Sequence, residues 1–167
     1  TADSIGSETG GGTVTFHERE ALQTLGDVRT VSREVLLASL GPSAHSVPDD
    51  PWGWDALAYH QFGNTIKLAH CYAGTFTDSV RKLKDNGAKV TYTAAAHNIE
   101  LSRREHEVYG IPFSYPHLSQ PDLWRRYVGG YLAADVVICP SAHSAACMRS
   151  YGCTNIVVIP HGTEIPE

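Results

Sequence analysis

The stretch that decides the fold is Ala134–Ile165, ADVVICPSAHSAACMRSYGCTNIVVIPHGTEI. Asp135–Cys139 is a short β-branched run, which is typical of a buried parallel strand. A proline ends this run, and Ser141 is placed to cap the helix that follows. Gly152 stands where a helix C-cap glycine belongs, and Ile156–Ile159 is a second buried strand. Two such strands on either side of one helix predict a right-handed βαβ unit.

The rest of the chain repeats this alternation of helix and strand. Further strands are predicted at Val28–Val31, Ile66–Tyr72 and Lys89–Ala94. Helices are predicted at Val14–Leu25, Asp55–Phe62, Gly74–Asn86, Ile99–Tyr109 and Pro121–Ala134, and Gly87 is expected to stop the helix Gly74–Asn86. Thr1–Gly12 and Gly41–Asp55 are rich in glycine, proline and small polar residues, and we expect loops there. Because no hairpin signal occurs, the pattern predicts one α/β domain over residues 1–167, a Rossmann-like three-layer α/β/α domain with a mostly parallel sheet.

Composition excludes several classes of function. The net charge of −5 argues against nucleic-acid binding, which needs a basic footprint. No apolar run approaches the roughly 20 residues of a membrane span, and no signal peptide is visible.

The four cysteines form no CxxC pair, and reduced thiols in a cytoplasmic protein are the expectation. A metal site built from Cys139, His143 and Cys147 is a weaker alternative, because Pro140 breaks their register.

Three consecutive glycines, Gly10, Gly11 and Gly12, form the first candidate binding site. Glycine lets a backbone approach a ligand without a Cβ clash. With Thr13 as the cap, the helix beyond offers free N–H groups and a partial positive charge to a phosphate. The alternative is a surface loop without a ligand. The pattern is neither the G-x-G-x-x-G dinucleotide fingerprint nor a Walker A loop.

His97 is the candidate catalytic residue, because it follows the strand Lys89–Ala94 at the edge where α/β sheets bind ligands. A histidine there can donate to a sugar hydroxyl or stabilise developing charge. Its neighbour Asn98 could bind hydroxyl groups or only cap the next helix. Ser141 lies at the same predicted edge, where it is either a substrate-binding residue or only a helix cap. The alternative is that His97 is a loop histidine that binds no ligand.

Residues 134–165 resemble the end of the N-terminal domain of retaining GT-B glycosyltransferases, especially family 4. The resemblance lies in two motifs: Ala-Asp followed by an apolar pair and then Pro-Ser, and after it Val-Ile-Pro-x-Gly. Gly10–Gly12 before a helix and His97 after a strand are similar to that family as well. The resemblance implies one half of a GT-B fold, in which the glycine loop lines the cleft near the donor phosphates and the acceptor. It also implies that His97 lies beside the transferred sugar. His161 departs from the family, which often has asparagine in its Pro-Asn-Gly crossover.

The implied reaction moves a sugar, with retention, from a nucleotide-sugar donor to a hydroxyl of a sugar or lipid-linked acceptor. Neither a metal nor another cofactor is expected. The donor-binding C-terminal domain is absent from this chain, and we expect it beyond Glu167 or in a partner subunit. The first strand of the sheet is expected upstream of Thr1. The isolated chain is therefore expected to be inactive, in the cytoplasm or peripherally on a membrane.

The alternative function belongs to another class. The chain could be a noncatalytic α/β module that binds a phosphorylated ligand or a partner subunit, as the halves of split glycosyltransferases do. The stretch Pro160–Pro166 favours the glycosyltransferase interpretation, because it is more typical of an interdomain crossover than of the end of a domain.

Overall fold

A computed structural model of the chain describes residues 10–28, 37–38, 40–41, 51–62, 64–72, 76–94, 99–112 and 120–161. Its helices of eight or more residues are α1 (Gly10–Gln23), α2 (Pro51–Phe62), α3 (Asp78–Asp85), α4 (Ile99–Tyr109), α5 (Pro121–Ala133) and α6 (Ala142–Ser150). Its strands are β1 (Leu68–Tyr72), β2 (Lys89–Thr93), β3 (Val136–Cys139) and β4 (Ile156–Val158). Within this described part, no helix combines the length and the apolar character needed to cross a bilayer.

The four strands form one sheet in the order β1-β2-β3-β4, and every neighbouring pair is parallel. Each strand in this sheet is followed or preceded by a helix, as crossover connections between parallel strands require. The predicted α/β Rossmann-like fold with a parallel sheet is therefore confirmed. The predicted strand Val28–Val31 lies mostly outside the described residues.

The two faces of the sheet differ in chemistry. On one face Val90, Tyr92 and Val137 are fully buried, and they pack in the same core as Val80 of α3 and Tyr131 of α5. Successive side chains of a strand point to opposite faces. The other face of β1 and β2 therefore carries His70, Thr91 and Thr93, next to α1. This places helices on both faces of the sheet.

Local signals in the sequence fix several ends of these elements. Gly87 and Gly152 follow helices α3 and α6 with φ of 81° and 95°, a conformation that favours glycine, and both helix stops are confirmed. Pro121 occupies the first turn of α5, where its missing N–H costs nothing. Helix α4 has the predicted bounds, Ile99–Tyr109.

Several predicted boundaries were wrong. Helix α2 begins at Pro51, so the end of the predicted Gly41–Asp55 loop is helical, because proline is tolerated in a first turn. Helix α3 begins at Asp78 instead of Gly74. Helix α1 ends at Gln23 instead of Leu25, and Leu25 is 79% exposed.

The start of α3 is capped by a residue from another helix. Asp55 of α2 is fully buried, and its carboxylate accepts hydrogen bonds from the backbone amides of Thr77 (2.9 Å) and Asp78 (2.7 Å). Ser79 donates to the same carboxylate through its amide and its hydroxyl group. The side chain of Thr77, at the N-cap position, makes no capping hydrogen bond. Asp55 therefore satisfies the free amides that a helix start leaves.

Candidate functional site

Three segments of the chain leave the sheet at its carboxyl edge. Thr93, the last residue of β2, pairs in register with Ile138 of β3. The amide of Ala94 donates to the carbonyl oxygen of Ile138 at 2.9 Å, and the amide of Ile159 donates to that of Cys139 at 2.9 Å. The residues that follow β2, β3 and β4 therefore begin side by side at the edge where α/β sheets bind ligands.

Ser141 lies at this edge and caps helix α6. Its backbone is extended, and its Oγ accepts a hydrogen bond from the amide of Ser144 at 3.1 Å. The predicted cap is thus confirmed. Ser141 is also exposed to solvent, so a ligand at the edge can reach it. Its role in substrate binding stays a prediction.

The glycine triplet lies in a helix, and the prediction that Thr1–Gly12 is a loop was wrong for its last three residues. Gly10, Gly11 and Gly12 form the first turn of α1, upstream of the predicted cap Thr13. Glycine is costly inside a helix, but a first turn donates no intrahelical N–H bonds and tolerates it better. The amides available to an anion are then those of the glycines themselves, because a helix leaves its first four N–H groups without an intrahelical partner.

His97 and Asn98 lie outside the described residues. The described residues on either side are Ala94, which is fully buried at the carboxyl edge, and Ile99, which begins α4. Their roles stay predictions.

A polar cluster that the sequence analysis missed connects α1 with the sheet. We call it the Glu18 cluster, and it comprises Glu18, His70, Thr91 and Thr93. The hydroxyl group of Thr93 donates to Oε1 of Glu18 at 2.7 Å. The second carboxylate oxygen, Oε2, lies 3.1 Å from Nε2 of His70, and Nδ1 of His70 lies 2.8 Å from the Thr91 hydroxyl.

A periodic signal could have pointed to this cluster. Lys89–Thr93 reads Lys-Val-Thr-Tyr-Thr, in which buried Val90 and Tyr92 alternate with Thr91 and Thr93. Alternation with period two assigns both threonines to the second face of β2. Nothing local connects that face with Glu18, which is 75 residues away from Thr93 along the chain.

The four cysteines are buried and unpaired as disulfides. Burial raises the pKa of Cys71 to about 12 and also raises the pKa values of Cys139 and Cys153. Sγ of Cys147 lies 3.9 Å from Nε2 of His143. Among the residues that the structure describes, no three histidine, cysteine, aspartate or glutamate side chains come together as a metal-binding group.

The geometry above defines the class of the protein as an α/β Rossmann-like domain with a parallel sheet. No family model, curated protein or solved structure matches the chain significantly. The residues themselves carry the functional proposal that follows.

Proposed function

We propose that the chain is the acceptor-side half of a retaining GT-B glycosyltransferase, which transfers a sugar from a nucleotide-sugar donor to an acceptor hydroxyl group. The observation that carries the proposal is the common edge at which the segments after Thr93, Cys139 and Val158 leave the parallel sheet. The first segment leads to His97 and the second contains Ser141. The resemblance of residues 134–165 to the end of such a domain supports the same proposal.

Each candidate residue has a chemical role in this proposal. The first-turn amides of Gly10–Gly12 stabilise negative charge on the leaving diphosphate, as oriented backbone donors do. His97 donates to a hydroxyl group of the transferred sugar, and Asn98 binds a second hydroxyl group. Ser141 contacts the ligand with the hydroxyl group that also caps α6. The protein acts in the cytoplasm, free or peripherally on a membrane when the acceptor is lipid-linked.

The proposal requires a second domain, which binds the nucleotide of the donor. That domain is supplied in cis or by a partner subunit, and the cleft between the two halves excludes water from the reacting groups. This chain alone binds the acceptor or a diphosphate weakly and transfers no sugar.

The test uses the product of the whole reading frame, with its partner subunit where one exists. We would measure release of nucleoside diphosphate from a panel of nucleotide-sugars, and the anomeric configuration of the product by proton NMR. His97→Ala is expected to lower kcat about a hundredfold or more, because it removes a donor that acts in the transition state. His60→Ala is the control, since His60 is exposed in the last turn of α2.

Two results would contradict the proposal. An inverted product would exclude the retaining mechanism. Absence of nucleoside diphosphate release with every donor, together with binding of a phosphorylated ligand or a partner subunit, would favour the noncatalytic module.

Ser141 needs a separate test, because it is a cap as well as a candidate ligand. Ser141→Ala is expected to lower the free energy of unfolding by about 1 kcal/mol, as loss of an N-cap does. Ser141→Asp keeps a capping oxygen but adds a negative charge at the edge. If Ser141 binds the donor or acceptor, the aspartate variant recovers stability and not kcat/KM. Recovery of both quantities would leave Ser141 with the capping role only.

A further inference from the structure

Helix α1 contacts the sheet through one charged side chain. Between Phe16 and Gln23, where the structure describes the side chains of α1, none is fully buried. Glu18 nevertheless contacts two strands, because Oε1 accepts from Thr93 of β2 and Oε2 lies beside His70 of β1. The carboxylate of Glu18 therefore connects α1 with both β1 and β2.

The carboxylate of Glu18 meets the two strands in different ways. Its Oε1 accepts a hydrogen bond from Thr93, whereas its Oε2 lies 3.1 Å from Nε2 of His70 as a close approach and not a hydrogen bond. His70 and Thr91 are partners in the β1–β2 register, and the Thr91 hydroxyl lies 2.8 Å from the imidazole Nδ1. This contact fixes the ring that faces Glu18, while Thr93 is itself almost completely buried. One hydrogen bond to β2 and one close contact with β1 restrain the position of the helix against the sheet.

The same contact joins two segments of the proposed active site. Helix α1 begins with Gly10–Gly12, and Glu18 follows Gly10 by eight residues, or about 12 Å along the helix axis. Thr93 ends β2, and His97 follows it by four residues. We infer that Glu18 is a positioning residue, which fixes the glycine turn of α1 relative to the carboxyl end of β2. This inference rests on the proposed glycosyltransferase function.

The test uses the whole enzyme and four variants. Glu18→Ala removes both contacts, whereas Glu18→Gln keeps an oxygen for Thr93 and presents an amide to His70. Thr93→Val removes only the hydroxyl group and completes a double-mutant cycle with Glu18→Ala. Glu20→Ala is the matched control, because Glu20 is an exposed acid on the same helix.

Hydrogen exchange is the first readout and does not depend on activity. In Glu18→Ala the polar contacts are missing, so local opening of the helix costs less free energy. We therefore expect exchange of the α1 amides to be about tenfold faster. Glu20→Ala is expected to leave this exchange unchanged. Unchanged exchange in Glu18→Ala would overturn the inference, whatever reaction the protein performs.

Steady-state kinetics is the second readout. Glu18→Ala is expected to lower kcat about tenfold or more with a smaller change in KM, because misplaced donors act mainly on the transition state. Glu18→Gln is expected to restore most of kcat, and Thr93→Val is expected to add little to Glu18→Ala. Faster exchange with unchanged kcat would overturn the positioning role and leave the proposed function intact.

The two proposals can fail separately. If the unaltered enzyme transfers no sugar, the proposed function fails, and the exchange experiment still decides whether Glu18 holds α1. Suppose that Glu18→Gln is as impaired in kcat as Glu18→Ala while its α1 amides exchange as slowly as those of the unaltered enzyme. The negative charge is then needed for the reaction and not for holding α1. That result would overturn the positioning role in favour of direct contact with the reactants.

Discussion

Gly130 lies where helix α5 passes the segment that precedes α3. A Cβ atom at this position would lie 2.7 Å from the carbonyl oxygen of Phe76 and 3.2 Å from Cγ2 of Thr77. The backbone oxygen cannot move away without shifting the start of α3. We therefore expect Gly130→Ala to lower the free energy of unfolding by about 1–3 kcal/mol, measured by urea denaturation.

The neighbouring glycine is a matched control. At Gly129 the nearest atom to an added Cβ is Nη2 of Arg81 at 3.7 Å, which is an ordinary contact. Gly129→Ala is expected to raise the free energy of unfolding by about 0.5–1 kcal/mol, because alanine is the better helix former. Equal effects of the two substitutions would show that close approach of the backbone does not determine the choice of glycine at 130.

Asp55 is buried but has a hydrogen-bond donor for each carboxylate oxygen. It accepts from the amides of Thr77 and Asp78, and from Ser79. Asp55→Ala leaves the start of α3 without these acceptors, and we expect a loss of about 2–4 kcal/mol in the free energy of unfolding. Urea denaturation measures this loss, and Asp55→Asn, which keeps one acceptor, is expected to lose less.

A control for the Asp55 variants is Asp122→Ala. The side chain of Asp122 is 89% exposed and pairs with Arg125, which is exposed as well. Its removal is expected to change the free energy of unfolding by less than about 0.5 kcal/mol. A loss at Asp55 no larger than that at Asp122 would contradict the capping role of Asp55.

At the scale of elements, Asp135 joins strands β2 and β3. Its amide donates to the carbonyl oxygen of Val90 at 2.8 Å, and its Oδ2 accepts from the amide of Val90 at 2.8 Å. Oδ1 lies 3.3 Å from Nζ of Lys84 and 3.8 Å from Nζ of Lys89. The hydrogen bond from the Val90 amide is the largest cause that lowers the pKa of Asp135 below its ordinary value of 3.8, and the interaction with Lys84 lowers it further.

A pH dependence follows from this lowered pKa. The folded protein keeps Asp135 charged at a pH where the unfolded chain already binds a proton. The stability that Asp135 contributes is therefore present above its ordinary pKa and is lost as the pH falls through the folded pKa. Asp135→Asn is expected to flatten the acid limb of a plot of unfolding free energy against pH. An acid limb identical to that of the unaltered protein would exclude Asp135 as its source.

At the scale of the whole molecule, all four thiols are inside the fold. Cys71 packs in the core, and burial raises its pKa to about 12. Because the thiolate is the reactive form, we expect Cys71 in the native protein to react with a disulfide reagent at pH 8 at least about a hundredfold more slowly than in the unfolded chain. Mass spectrometry of labelled peptides measures this rate. Rapid native labelling of Cys71 would contradict its placement in the core.

The sequence by itself determined the order of the elements and many of their ends. Alternating helical and β-branched runs predicted the parallel sheet, because an all-parallel sheet needs crossover helices. Two helix stops, at Gly87 and Gly152, were correctly predicted. The helix cap Ser141 was correctly predicted as well. These signals act within a few residues, and a short window of sequence contains both partners of each interaction.

Tertiary structure decided the contacts between elements. Asp55 caps a helix that begins 23 residues later, Asp135 accepts from a strand 45 residues earlier, and Glu18 contacts Thr93 across 75 residues. Each of these residues is an ordinary polar residue in its local sequence. Its partner is determined by the packing of helices on the sheet, which brings distant donors and acceptors together, and no local pattern specifies that packing.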